Sequence, residues 1–191
     1  GAMRNNVEVL AEDAKRYAEL HLAMQRGWDI YFSKRDGSFE VYTSSCYGDL
    51  IVPVGLSDED KLACTLINLF SSDMGLTTKR LIDYFRWSKY KCYKLARANR
   101  YCYTTTLVCE EGGYGGTGWV LLPDMHSAML NYIKQEYPCK ECKHCVVTGK
   151  NRLGYVDGRA IGYCYANSQY TICDDSGCRN GHFERKEVSD D

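Results

Sequence analysis

The sequence predicts an α+β protein with a larger, mainly helical N-terminal part and a smaller C-terminal part of short strands. Segments with apolar residues at helical spacing alternate with short stretches rich in Tyr, Thr and Val. Six of the eleven cysteines lie between Cys139 and Cys178. A length of 191 residues, with 45% apolar and 26% charged residues, is typical of a globular chain and argues against a disordered or membrane-spanning one.

Residues 1–56 are predicted to form an N-terminal extension made of one helix and one β-hairpin. Apolar side chains recur at helical spacing over residues 7–26, with Asn6 as the N-cap and Gly27 as the C-terminal stop. Apolar residues then alternate with other residues on both sides of an Asp-Gly turn, which predicts two paired strands. These residues are Trp28, Ile30 and Phe32 before the turn and Phe39 and Val41 after it.

Residues 57–137 are predicted to contain three short helices, a pair of strands and a fourth helix. A hydroxyl side chain precedes each of the first three helices and would accept a hydrogen bond from a free amide of the first turn. These caps are Ser57, Thr77 or Thr78, and Ser88. The strands are predicted over residues 101–108 and 119–122, on either side of a glycine-rich tip, and Asp124 would cap the last helix.

Positive charge is concentrated in one segment of this region. Residues 79–100 contain eight basic side chains and one acidic side chain, Asp83, which gives the segment a formal charge of +7 in a chain whose net charge is −1. A patch of this kind can neutralise several phosphates of DNA and release their condensed counterions. The alternative interpretation is a solvated helix face with no nucleic-acid partner.

The order of elements over residues 57–122 resembles a winged helix-turn-helix domain, and residues 77–95 resemble its helix-turn-helix core. One departure is that Arg86 or Trp87 stands where the turn usually has a glycine. The resemblance implies that the third helix enters the major groove of duplex DNA and that the wing approaches the backbone or minor groove. It nominates Ser88, Lys89, Tyr90, Lys91 and Lys94 for base edges, Lys79, Arg80, Arg97 and Arg100 for phosphates, and Tyr114 in the wing.

The C-terminal cysteines have the spacing of zinc ligands. Residues 139–145 contain two overlapping C-x2-C motifs, and a C-x4-C motif begins at Cys173. The start of the chain has no apolar signal-peptide core, so we expect an intracellular protein, in the cytoplasm or nucleus, where clustered cysteines bind metal rather than form disulfides. We predict a zinc ribbon over residues 138–183 that holds one Zn²⁺ ion or two, followed by a flexible tail over residues 184–191. The candidate ligands are Cys139, Cys142, Cys145, Cys164, Cys173, Cys178 and His182, with His144 as an eighth if it turns inward.

The sequence does not indicate an enzyme. The match to P-C-x-x-C at residues 138–142 lacks the upstream H-x-E motif of zinc deaminases, because no histidine before residue 138 has a glutamate two positions later. The glycines Gly113, Gly115 and Gly118 match G-x-G-x-x-G, but they lie between two strands rather than between a strand and a helix. The other cysteines, Cys64, Cys92, Cys102 and Cys109, are predicted to be buried apolar residues, with Cys46 undecided.

A winged helix followed by a zinc ribbon is similar in layout to the alpha subunit of general transcription factor E and its archaeal relatives. This similarity implies a zinc-containing protein that binds duplex DNA in transcription or replication control. Two alternatives are a protein-protein interaction module of a larger nucleoprotein assembly, with the basic face incidental, and a binder of RNA or single strands through exposed tyrosines. No membrane partner is expected.

Overall fold

The computed structural model describes residues 7–31, 37–70, 75–108, 114–150, 158–173 and 176–187. Within these ranges the protein is α+β, with five α-helices and three small antiparallel sheets. The helices are α1 (Ala11–Tyr31), α2 (Asp58–Asn68), α3 (Thr78–Phe85), α4 (Lys89–Ala98) and α5 (Pro123–Glu136). The strands are β1 (Phe39–Tyr42), β2 (Leu50–Pro53), β3 (Cys102–Val108), β4 (Tyr114–Leu121), β5 (Cys145–Lys150), β6 (Ala160–Cys164) and β7 (Gln169–Ile172).

The chain forms two compact units, residues 1–128 and 129–191. The residues of the predicted N-terminal extension belong to the first unit, together with the three helices and the β3–β4 hairpin that follow them. The strands β5, β6 and β7 form the sheet of the second unit, in that order. No helix of the described residues is both long and apolar enough to cross a membrane.

Helix α1 extends past the glycine that was expected to end it. Gly27 is buried within the helix, and a Cβ atom added there would lie 2.9 Å from side-chain carbons of both Ile51 and Phe39. The glycine therefore allows the β1–β2 hairpin to approach the helix closely. The prediction that Trp28 and Ile30 lie in a strand is wrong, because both lie in α1. Asn6 and Phe32 are outside the described residues.

The predicted hairpin has a different first partner. Strand β1 pairs with β2 in antiparallel register, with Val41 opposite Ile51, and not with residues 28–32. The side chains of Leu50, Ile51 and Val52 are buried. Strand β2 has no alternation of apolar and polar residues, because all three of these consecutive residues are inaccessible to solvent.

The caps predicted for the three short helices are confirmed. The side chains of Ser57, Thr77 and Ser88 each accept a hydrogen bond from the amide three residues later, at 3.2, 3.1 and 3.1 Å. Leu76, in the segment between α2 and α3, forms an isolated antiparallel bridge with Trp119 of β4. The short helices and the hairpin are thus tied together by backbone hydrogen bonds as well as by packing.

The first unit is built around aliphatic side chains. Leu62 and Leu66 of α2, Leu81 of α3 and Leu121 of β4 are essentially inaccessible to solvent. The prediction that Cys64, Cys92 and Cys102 are buried apolar residues is confirmed, and Cys109 lies outside the described residues.

Helix α1 is also joined to the end of α4 by polar contacts. The side-chain amide of Asn99, the C-cap of α4, donates to the hydroxyl of Tyr17 at 3.0 Å. The hydroxyl of Tyr101 donates to the carboxylate of Asp13, and the rings of Tyr17 and Tyr101 meet edge to face at 5.8 Å. The N-terminal extension therefore fixes the C-terminal end of α4.

Candidate nucleic-acid interface and metal centre

One face of α4 is positively charged and open to solvent. Tyr90, Lys94 and Arg97 are exposed and recur at the i, i+4 and i+7 spacing that places side chains on one side of a helix. Cys92 and Ala96, on the opposite side, are buried in the first unit. The cap at Ser88 starts the helix so that Lys89 is exposed in its first turn. We call Tyr90, Lys94 and Arg97, together with Lys89 at the N-terminal end of the helix, the α4 basic face.

Lys91, which was nominated for base edges, is engaged within the protein. Its ammonium group lies 2.6 Å from the carboxylate of Asp58 and 5.5 Å from the ring centroid of Trp87. Asp58 belongs to the first turn of α2, so this ion pair joins α2 to α4. Lys91 therefore lies outside the α4 basic face.

Arg80 is also engaged, because the segment between β1 and β2 covers one side of α3. The guanidinium of Arg80 stacks over the ring of Tyr47 at 4.4 Å, and the residue is only 9% exposed. The hydroxyl of Tyr84 donates to the carbonyl of Gly48 at 3.0 Å, and the hydroxyl of Ser44 donates to Asp83. Arg80 is thus not presented for phosphates, and the one acidic side chain of the basic segment has a hydroxyl partner.

The turn between α3 and α4 takes the backbone conformation that favours glycine, although Arg86 occupies it. Arg86 has φ 57° and ψ 27°, and its amide donates to the carbonyl of Ile82 at 2.9 Å. This is the left-handed end of a helix that a glycine commonly adopts. Trp87 is buried and stacks on Phe85 at 4.6 Å, which holds the turn in place.

Six basic side chains of the segment 79–100 remain exposed. They are Lys79, Arg86, Lys89, Lys94, Arg97 and Arg100. Arg86 was missed as a candidate contact, and its position in the helix-helix turn was the signal for it. Within the described part of the chain, neither Lys89 nor Lys94 has an acidic partner. In the predicted wing, Tyr114 begins β4 opposite Val108, and residues 109–113 are outside the described ranges.

In the second unit, most of the predicted zinc ligands line one cleft of about 280 Å³. The cleft residues include Cys139, Cys142, Cys145, Cys164, Cys178 and His182, together with His144. The overlapping C-x2-C motifs form two successive turns, in which the amides of Cys142 and Cys145 donate to the carbonyls of Cys139 and Cys142 at 3.1 Å. The fold thus brings residues 139–145, residue 164 and residues 178–182 together in one cleft.

The seventh predicted ligand, Cys173, directly follows β7 and contacts Cys145 of this group. Its sulfur lies 3.2 Å from that of Cys145, and the cysteines Cys142, Cys145 and Cys173 form a buried cluster against which Cys139 packs. A Cβ atom added to Gly162 would collide with the sulfur of Cys173 and lie 2.8 Å from that of Cys145. Glycine is therefore required where β6 passes over these two thiols.

Burial keeps the thiols of Cys139 and Cys145 protonated when no metal is bound. It raises the pKa of Cys139 to about 11, and nearby Cys178 adds to the effect. The pKa of Cys145 is raised for the same reason and by its hydrogen bond with Cys173. Metal binding would have to displace these protons.

The cluster is not arranged as a metal centre in this structure. Among the described residues, no group of three or more Cys, His, Asp or Glu side chains is placed so that it could hold a metal ion. In a tetrahedral zinc site with Zn–S distances of about 2.3 Å, neighbouring sulfurs would be about 3.8 Å apart. Cys145 and Cys173 would have to separate slightly, and further ligands would have to turn toward the same point. His144 forms an ion pair with Glu184 at 3.1 Å if it is protonated.

Comparison of the chain with protein-family models, with curated proteins and with solved structures finds no match. The assignment of function therefore rests on the geometry of the α4 basic face and of the cysteine cluster.

Proposed function

We propose that this protein binds duplex DNA through the α4 basic face and acts in transcription or replication control. The observation that carries the proposal is the arrangement of exposed Lys89, Tyr90, Lys94 and Arg97 on a capped helix whose opposite side is buried. A helix has the right width for the major groove, and lysine and arginine side chains bind both phosphates and guanine edges. Nearby Arg86 and Arg100 would add phosphate contacts.

The order of elements supports a winged helix as the framework of this face. Three helices are followed by the β3–β4 hairpin, and the turn between α3 and α4 has three residues, Arg86 to Ser88. Ahead of α3, Leu76 forms a single-residue bridge with Trp119 of β4. α4 would then be the recognition helix.

We further propose that the second unit is a zinc ribbon with at least one Zn²⁺ ion. Its support is the C-x2-C and C-x4-C spacing, the shared cleft and the buried packing of Cys139, Cys142, Cys145 and Cys173. Glu184 and Lys186, which the sequence places in the tail, form backbone hydrogen bonds with Lys143 and Glu141. The zinc would be structural, since each of its ligands would come from the protein.

The DNA proposal is tested by titrating the full-length chain into a fluorescent duplex at several salt concentrations. The double variant Lys89→Ala/Lys94→Ala should bind more weakly, and the slope of log affinity against log salt should fall by about two, because each lost phosphate contact removes about one released counterion. The matched control Lys15→Ala/Arg26→Ala removes the same charge from exposed positions of α1 and should leave the slope unchanged.

Two results would contradict the proposal. Equal effects of both double variants would mean that only net charge matters, and a wild-type chain that does not bind duplex at low salt would favour the protein-interaction alternative. Lys91→Ala provides an internal check. Because Lys91 is paired with Asp58, its loss should lower stability more than it lowers DNA affinity.

A further inference from the structure

The sheet of the second unit has an aromatic face that the duplex-binding proposal does not use. Val146, Tyr163 and Tyr170 are directly opposite one another on β5, β6 and β7, so their side chains project from the same face. Tyr165 follows Tyr163 by two residues. A Cβ atom added to Gly162 would project to the other face, toward the sulfurs of the cysteine cluster. The tyrosines therefore lie on the face of the sheet that points away from that cluster. We call Tyr163, Tyr165 and Tyr170 the tyrosine face.

The rings of this face are assembled but largely open. Tyr165 and Tyr170 each meet Tyr163 edge to face, with ring centroids 5.0 and 5.1 Å apart. Tyr165 is 66% exposed and Tyr170 is 72% exposed. An aromatic ring that is mostly in solvent offers a flat surface rather than a pocket. The two outer ring centroids are at most about 10 Å apart, a span that two or three unstacked bases can cover.

The charge around this face suits a polyanion. The strands β5, β6 and β7 contain no acidic residue. Arg159, which directly precedes β6, is exposed. Phosphates could therefore approach without facing carboxylates on the strands.

From these observations we infer that the tyrosine face binds single-stranded nucleic acid by stacking bases on Tyr165 and Tyr170. Stacking on aromatic side chains needs no particular base, because every base has a π-face. The inference does not depend on duplex binding by α4. The protein would then have one surface for paired strands and a second surface, in the other unit, for unpaired bases.

The test measures binding of the zinc-loaded full-length chain to fluorescent oligothymidine and to a duplex of the same length. Tyr165→Ala/Tyr170→Ala should lower affinity for oligothymidine at least about 25-fold, since each of the two stacked bases contributes a factor of about five or more. Duplex affinity should change less than about twofold. Tyr165→Phe/Tyr170→Phe keeps both rings and should bind as the wild type does, whereas the double leucine variant should not. Thermal unfolding checks that these exposed substitutions leave the fold intact.

Other outcomes would overturn the inference. Unchanged oligothymidine binding in the alanine variant would exclude stacking on these rings, as would a wild-type chain that binds no single strand. Rescue by leucine would indicate general apolar contact, and loss of self-association in sedimentation would then assign the face to a second copy of the chain. Failure of the α4 proposal would be seen separately, as loss of duplex binding and of its salt slope.

Discussion

The two units of this protein differ in what fills their interiors. The first unit buries a set of aliphatic side chains, among them Leu62, Leu66 and Leu121, under helices and a hairpin. In the second unit the buried cluster consists of the thiols of Cys142, Cys145 and Cys173, packed against Cys139, Ala160 and Phe183. A hydrophobic core stabilises a unit by burial alone. A small sheet over a few thiols has little apolar area to bury, so its stability would depend on what the thiols bind.

If the second unit is the zinc ribbon that we propose, the largest difference between the units should follow from removing its metal. Structural zinc contributes about 10–16 kcal/mol of apparent binding free energy in small zinc domains, so a chelator should unfold the second unit. Hydrogen exchange, followed peptide by peptide, should show loss of protection in β5, β6 and β7 and retained protection in α2 and β4. Cys142→Ser should have the same effect, whereas Cys46→Ser, at an exposed cysteine of the first unit, should have none.

Metal analysis of the same samples decides whether the ion is zinc. Zinc at one or two ions per chain is expected. A colourless, metal-free protein whose second unit remains protected, or a brown protein that holds iron, would contradict the zinc proposal.

A cavity in the aliphatic core should destabilise the first unit and leave the second unit unchanged. Leu66 is 1% exposed, and Leu66→Ala should lower the free energy of unfolding of the first unit by about 2–5 kcal/mol. Denaturant unfolding followed by circular dichroism measures the loss, and zinc content should remain that of the wild type. Val54→Ala removes apolar carbons at a half-exposed site and serves as the control, with an effect below about 0.5 kcal/mol. A parallel loss of zinc would show that the two interiors are not independent.

A single added methyl group tests the close packing over the thiols. Gly162→Ala places a Cβ atom against the sulfurs of Cys145 and Cys173 and should cost about 1–3 kcal/mol of stability in the second unit. Gly149→Ala, in the neighbouring strand β5, has no atom within 4 Å of the added carbon and is the matched control. The readout is the chelator concentration that releases half of the metal. Identical release curves for the two variants would refute the packing argument.

The smallest effect is expected at the turn before α4. Arg86→Gly relieves a left-handed backbone conformation and should stabilise the first unit by about 1 kcal/mol, or a few degrees in melting temperature. Arg86→Ala keeps the Cβ atom and therefore the strain, so it should give no such gain. If Arg86→Ala stabilises the first unit as much as Arg86→Gly does, the arginine side chain, and not the left-handed backbone, lowers the stability of the wild type.

Local signals in the sequence predicted local structure well. The hydroxyl caps of α2, α3 and α4 were identified because an N-cap interaction spans only three residues. The predicted hairpin partner of β1 was wrong because the contacts that decide it are not local. Trp28 and Ile30 alternate with polar residues, but α1 continues through them because Gly27 lets the helix pack against Ile51 and Phe39. Those contacts join residues twelve or more positions apart and leave no local pattern.

The candidate sites show the same division. The amino-acid sequence by itself determined the caps, the basic segment 79–100 and the cysteine spacing, because each depends on neighbouring residues. Tertiary structure alone decided which charges are presented: the segment between β1 and β2 buries Arg80 against Tyr47, and Asp58 of α2 pairs with Lys91. It also set the tyrosine face opposite the cysteines. Charge and spacing are properties of the chain, whereas exposure is settled only when distant segments pack together.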